Sequence, residues 1–180
     1  MLRPLIRACL TLTALSVTAA GAHEHHDHAH GAHVHGIAKL EVAIEGAEIH
    51  LHLDAPLHDL LGFERAPRDA KERAAADALL KQLAQGEALF RPTSAAQCRL
   101  ASATIEAPVL TAAAGKAPAD GHADLEAEYR FSCAQPAKLT GMEVLLSQAF
   151  KGLRRIDAQT VTAKKQGATR LTGTMRFLTW

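Results

Sequence analysis

The chain lacks an excess of either charge: 20 Lys and Arg residues offset 19 Asp and Glu, for a formal net charge of +1 with neutral histidines. It carries no basic stripe, so no nucleic-acid partner is expected. It also lacks a long apolar run. A spanning helix needs roughly 20 apolar residues, and no segment beyond the first 22 approaches that, so no membrane span is expected once a leader is removed. Gly-x-Ser-x-Gly, His-Glu-x-x-His and a phosphate-cradling glycine loop are all missing, which leaves little support for catalysis. Cysteine is scarce. Of the three, Cys9 lies early in the chain, and only Cys98 and Cys133 follow.

What is present begins with an export signal. Arg3 and Arg7 give a positive start, Ala8 to Ala20 is apolar and rich in small residues, and Ala20-Gly21-Ala22 is a cleavage site of the A-x-A kind. Cys9 opens the apolar run rather than following it, which argues against a lipid anchor. Cleavage after Ala22 would leave 158 residues, enough for one domain with one core. Without Arg3 and Arg7, 18 basic residues face 19 acidic ones. A bacterial periplasm is the expected location. In that oxidising setting Cys98 and Cys133 read as a disulfide closing a loop of 35 positions, a bond contributing on the order of 3–4 kcal/mol. The alternative is a pair of thiolate metal ligands, although neither has a Cys or His neighbour at ligand spacing.

Seven of the eleven histidines crowd the new N-terminus: His23, His25, His26, His28, His30, His33 and His35. His23/His25, His26/His28, His28/His30 and His33/His35 are His-x-His pairs, each able to chelate one ion, with Glu24 and Asp27 as harder partners. Imidazole ligands suit zinc, copper and nickel better than calcium or magnesium. A flexible tract must be ordered on binding, so several loose sites are expected rather than one selective site. Protons compete for imidazoles with an ordinary pKa of about 6.5, so binding is expected to weaken from about pH 7 to 5. The bland alternative is a solvated tail.

From Ile37 the pattern has period two. Leu40, Val42 and Ile44 alternate with polar residues, Glu45-Gly46 reads as a turn, and Ile49, Leu51 and Leu53 oppose Glu48, His50, His52 and Asp54. This predicts a β-hairpin ended by Pro56. A helix is expected from Pro67 to Gln85, with Ala74, Ala75, Ala78, Leu79 and Leu83 near helical spacing and Gly86 after its end. Phe90 and Pro92 should begin a loop. Cys98–Ala107 reads as a strand with Cys98, Leu100, Ser102 and Thr104 on one face. Residues 108–121 read as a mobile loop and His122–Cys133 as a clear strand, with Leu125, Ala127, Tyr129 and Phe131 inward. Further strands are expected at 142–146, 156–163 and 168–177, with a helical turn at 147–153. The expected fold is α+β, a single domain with a mostly antiparallel sheet, one longer helix and one short helix.

His50 and His52 share a strand face, roughly 6.5–7 Å apart, and could hold one ion with little reorganisation. An ordinary solvated face is the competing reading. His122 and Asp124 begin a strand that could complete a set with His50 and His52 or meet His33 and His35, although a lone histidine at a strand start is more often a surface residue. His58, after Pro56-Leu57 and before Asp59, could be a ligand or a turn residue, and the turn is the favoured reading.

The order of several segments resembles the ZrgA-type family of exported zinc-associated proteins. These are His33-Val34-His35-Gly36 leading into Ala38–Gly46, Leu61-Gly62-Phe63-Glu64, Cys98, Gly121-His122-Ala123-Asp124 running to Tyr129–Cys133, and Ala149–Leu153. The resemblance implies periplasmic zinc binding in support of acquisition by an ABC importer or its solute-binding protein. Many members carry a histidine where Arg65 stands, and a His-rich insertion where residues 112–120 have none. These departures place more weight on the N-terminal tract. The expected division is a signal at 1–22, a metal-binding tract at 23–36 and a folded domain at 37–180. The expected role is non-enzymatic zinc buffering or delivery. The alternatives are a metal-dependent hydrolase using His50, His52 and His122, which would need an open coordination position and a general base, and a copper or nickel resistance protein.

Overall fold

The computed structural model describes residues 34–111 and 123–180, and these lie in one compact unit. The expected hairpin forms: β1 (Ile37–Glu45) and β2 (Glu48–Pro56) pair antiparallel from Lys39 opposite Asp54 to Glu45 opposite Glu48. Pro56 closes β2, where its missing N–H costs the ladder least. The chain continues through α1 (Leu57–Leu61), α2 (Ala70–Ala84), α3 (Gly86–Leu89), β3 (Phe90–Pro92), β4 (Cys98–Glu106), α4 (Pro108–Thr111), β5 (Asp124–Cys133), β6 (Gly141–Val144), α5 (Leu146–Ala149), β7 (Arg155–Thr162), β8 (Gln166–Leu171) and β9 (Phe177–Thr179). A six-stranded sheet runs β4-β5-β2-β1-β7-β8, and a smaller one runs β3-β6-β9. The fold is α+β. All pairings are antiparallel except β1 with β7. Among the described residues no helix is long and apolar enough to cross a membrane.

One face of the large sheet is the core. Leu40 and Val42, Ile49, Leu51 and Leu53, and Leu125, Ala127, Tyr129 and Phe131 are buried there, as their alternation predicts. Each large apolar side chain so buried contributes roughly 1.5–3 kcal/mol. Helix α2 covers this face with Ala76, Leu79 and Leu83. The sequence reading placed Ala74, Ala75 and Ala78 in that stripe, but they face solvent. In so alanine-rich a helix only the leucine spacing marks the buried side. The helix also starts later than Pro67 suggests, because the Asp69 side chain caps it by accepting the Glu72 N–H at 2.8 Å.

Four other expectations need correction. Phe90 and Pro92 belong to β3, which pairs with β6. Pro108–Thr111 is a helical turn, and the remainder of the expected loop at 112–121 lies outside the described residues. The final strand breaks after Leu171, where Thr172 N–H donates to the Met175 carbonyl, and its end becomes β9 in the smaller sheet. Strand β4 shifts register between Leu100 and Ser102. A bulge moves every later side chain to the other face, so Cys98, Leu100, Ala103 and Ile105 pack on the core while Ser102 and Thr104 point outward. Cys98 and Cys133 stand directly opposite one another on β4 and β5 and are bonded.

Candidate metal centre

Strands β1 and β2 pair so that partner numbers always sum to 93. The chain entering β1 therefore runs beside the chain leaving β2, and His35 meets His58. Their rings make an edge-on contact with centroids 4.9 Å apart. His58 and the buried Asp59 sit on α1, which ends where Gly62 takes a left-handed conformation, and the chain then turns back through Phe63 and Glu64. His35 Nδ1 lies 3.7 Å from Asp59 Oδ1 and 3.8 Å from Glu64 Oε1.

Backbone contacts hold His35 in this place. Gly36 N–H donates to Asp59 Oδ2. The Gly36 carbonyl accepts from the N–H groups of Arg154 and Arg155, both at 2.9 Å, and the Arg154 guanidinium donates to the His35 carbonyl at 3.1 Å. Gly36 has φ +86°, and a Cβ there would lie 2.5 Å from Arg154 Nε. Position 36 therefore needs glycine for its backbone angle, while the Arg154 guanidinium packed over it could swing aside.

Arg65 anchors the loop that carries Glu64. Its guanidinium makes two hydrogen bonds to the Glu72 carboxylate at 2.7 and 2.8 Å and lies 4.9 Å from the centre of the Phe63 ring. The bonds from Arg65, together with the Arg68 N–H, pull the Glu72 carboxyl down to about 2. Where relatives are expected to carry an imidazole, this chain has a strut between the loop and α2.

The cluster offers two imidazoles and two carboxylates, a donor set suited to zinc. Ligands of a tetrahedral zinc ion stand about 3.3 Å apart, given bonds of about 2.0–2.1 Å, slightly closer than the His35 distances here. Among the described residues no three His, Cys, Asp or Glu side chains converge closely enough to hold an ion as they stand.

The other expected ligands are distributed unevenly. His23, His25, His26, His28, His30, His33 and His122 lie outside the described residues. The described chain starts at Val34, beside the cluster. It resumes at Ala123, whose carbonyl accepts the Leu57 N–H at 3.0 Å. Asp124 stands opposite Pro56. It is therefore four positions along β2 from His52 and six from His50, or about 14 and 20 Å. His50 and His52 do share the solvent face of β2, with His50 Nε2 3.1 Å from Glu48 Oε2. The pairing of Cys98 with Cys133 removes both sulfurs from the ligand set.

Sequence reasoning assigned His58 to a turn and did not single out Asp59 or Glu64 as ligands. The signal was available in the hairpin register. Once the Gly46 turn fixes the pairing sum, residue 35 extrapolates to residue 58.

A two-sheet α+β domain with imidazoles and carboxylates gathered at one end of its central hairpin has the features of a metal-handling protein. The family model described as ZrgA family zinc uptake protein matches residues 32–180, and the chain belongs to that family. Its role is thereby related to zinc uptake. No curated protein matches the chain.

Proposed function

We propose that this protein is an exported, periplasmic zinc-binding protein that buffers zinc or delivers it for uptake, and that zinc is its cargo rather than a cofactor of catalysis. The observation that carries this reading is the contact of His35 with His58 beside Asp59 and Glu64, at the point where both histidine-bearing segments outside the described residues join the fold. The tract at 23–36, freed by cleavage after residue 22, captures ions loosely through His23, His25, His26, His28, His30 and His33. A more selective seat forms where His35, the last histidine of the tract, meets His58, Asp59 and Glu64 of the folded domain. Loose capture beside donors anchored in the fold favours transfer inward, because they lose less conformational entropy on binding than a tract does. The recipient fitting this role is a zinc ABC importer or its solute-binding protein. The family's link to zinc uptake supports a binding role over an enzymatic one.

Zinc calorimetry on the mature chain and two variants tests this reading. Substituting the six tract histidines should remove several weak equivalents and leave the tightest. His35→Ala with His58→Ala should weaken the tightest by more than about tenfold, given that even residues supporting a ligand contribute about that much. A mature chain that retains no zinc at micromolar concentration and neutral pH would overturn the reading.

A further inference from the structure

The solvent face of the six-stranded sheet carries a groove of about 350 Å³ over its central strands. The register aligns the side chains that line it. In one row Thr104, Glu128, His52, Glu41 and Gln159 stand opposite one another across β4, β5, β2, β1 and β7. In the next row Ser102, Arg130, His50, Ala43 and Val161 do the same. The short Ala43 and Ser102 leave the space, and the longer residues wall it.

Several charges elsewhere on this face are paired. Lys39 Nζ lies 3.5 Å from Asp54, Asp157 meets Arg155 at 3.0 Å and Arg170 at 3.5 Å, and His50 meets Glu48 at 3.1 Å. Glu41, His52 and Glu128 make no side-chain hydrogen bond or ion pair among the described residues. Residues directly opposite in neighbouring strands have Cβ atoms about 4.5–5.5 Å apart, so His52 sits between two carboxylates that make no ion pair among the described residues. One row further along, Glu106 and Glu126 face each other and add negative potential, while Arg130 on the opposite side limits it.

We propose that this groove is a second zinc site, with Glu41, His52 and Glu128 as ligands and His50 reaching in from the adjacent row. A cation relieves the repulsion across the row, and imidazole nitrogens with carboxylate oxygens favour zinc over calcium or magnesium. The donors do not converge as they stand. Rotation of exposed side chains closes them while the strands hold their spacing. The site lies about 14 Å along β2 from Pro56, where the hairpin opens toward His35, and shares no ligand with the cluster or the tract. It therefore does not rest on the function proposed for them.

Titrating the full mature chain with zinc alone, by calorimetry and by long-range proton–nitrogen NMR of the imidazoles, tests this site. The His52 ring nitrogens should shift on zinc addition. His50→Ala with His52→Ala should lose one equivalent, and Glu41→Gln or Glu128→Gln should weaken that equivalent about tenfold or more. All four positions are solvent-facing, and the isosteric glutamines report even if the histidine variant folds poorly. His35→Ala should leave the equivalent in place. If the sheet-face variants bind zinc like the natural chain, or the His52 signals do not move, the inference falls. In that case loss of zinc in the tract and His35 variants would still uphold the proposed function.

Discussion

At one end of the central hairpin, Gly46 turns the chain, the Ala47 carbonyl accepts the Cys133 N–H at 2.8 Å, and the Cys98–Cys133 bond ties β4 to β5. At the other end β1 begins and β2 finishes among His35, His58, Asp59 and Glu64. The first end is closed by covalent and backbone bonds. The second presents side-chain donors. The contrast shows how a small sheet can bring together donor side chains from different parts of the chain. When turn and disulfide fix the register at one end, the partners at the other follow from counting.

Three measurements can break or sharpen this contrast. The largest effect should come from the closed end. Cys98→Ser with Cys133→Ser should lower stability by on the order of 3–4 kcal/mol, seen as a fall in the urea midpoint, while zinc affinity per folded molecule holds. A parallel loss of affinity would show that the two ends are not independent. Next comes Gly152, whose added Cβ would overlap the carbonyl oxygen of Asp59. Gly152→Ala should cost about 1–3 kcal/mol and also weaken zinc binding by displacing α1. Gly86→Ala, whose Cβ would lie 2.8 Å from the Tyr129 ring, should cost a similar amount and leave zinc binding intact. Equal zinc losses in both would dissolve the distinction.

The smallest effect concerns the strut under Glu64. Glu72 titrates at about 2 in the fold against an ordinary 4.5. A depressed carboxylate stabilises the fold above its unfolded pKa, and that contribution fades as pH falls through the folded value. The urea midpoint of the natural chain should therefore exceed that of Glu72→Gln by a constant margin above about pH 5, mostly gone by about pH 2 and lost below it. An undiminished margin at pH 2 would mean that the ionised carboxylate is not its source.

Most of the sheet was legible because its strands alternate cleanly. Leu40, Val42, Ile49, Leu51, Leu53 and the inward residues of β5 needed no tertiary information. The faces of β4 after Leu100 did not follow, since a bulge is a local slip that a short stretch of Ser, Ala and Thr does not announce. The buried stripe of α2 was obscured by alanines that fit either side. The candidate centre was half visible. The histidines stood out by composition, but Asp59 and Glu64 become candidates only when the fold brings α1 and its following loop against His35. Pairing across β1, β2 and β5 likewise separated Asp124 from His52, two residues that composition alone would group.

The parallel contact of β1 with β7 has a consequence for how the molecule is made. Ile37 pairs with Arg155, 118 positions later, and the carbonyl of Gly36 waits for the amides of Arg154 and Arg155. Contacts so distant in sequence form late and slowly. A nascent chain thus carries its histidines long before the final third arrives to lock Gly36 in its place.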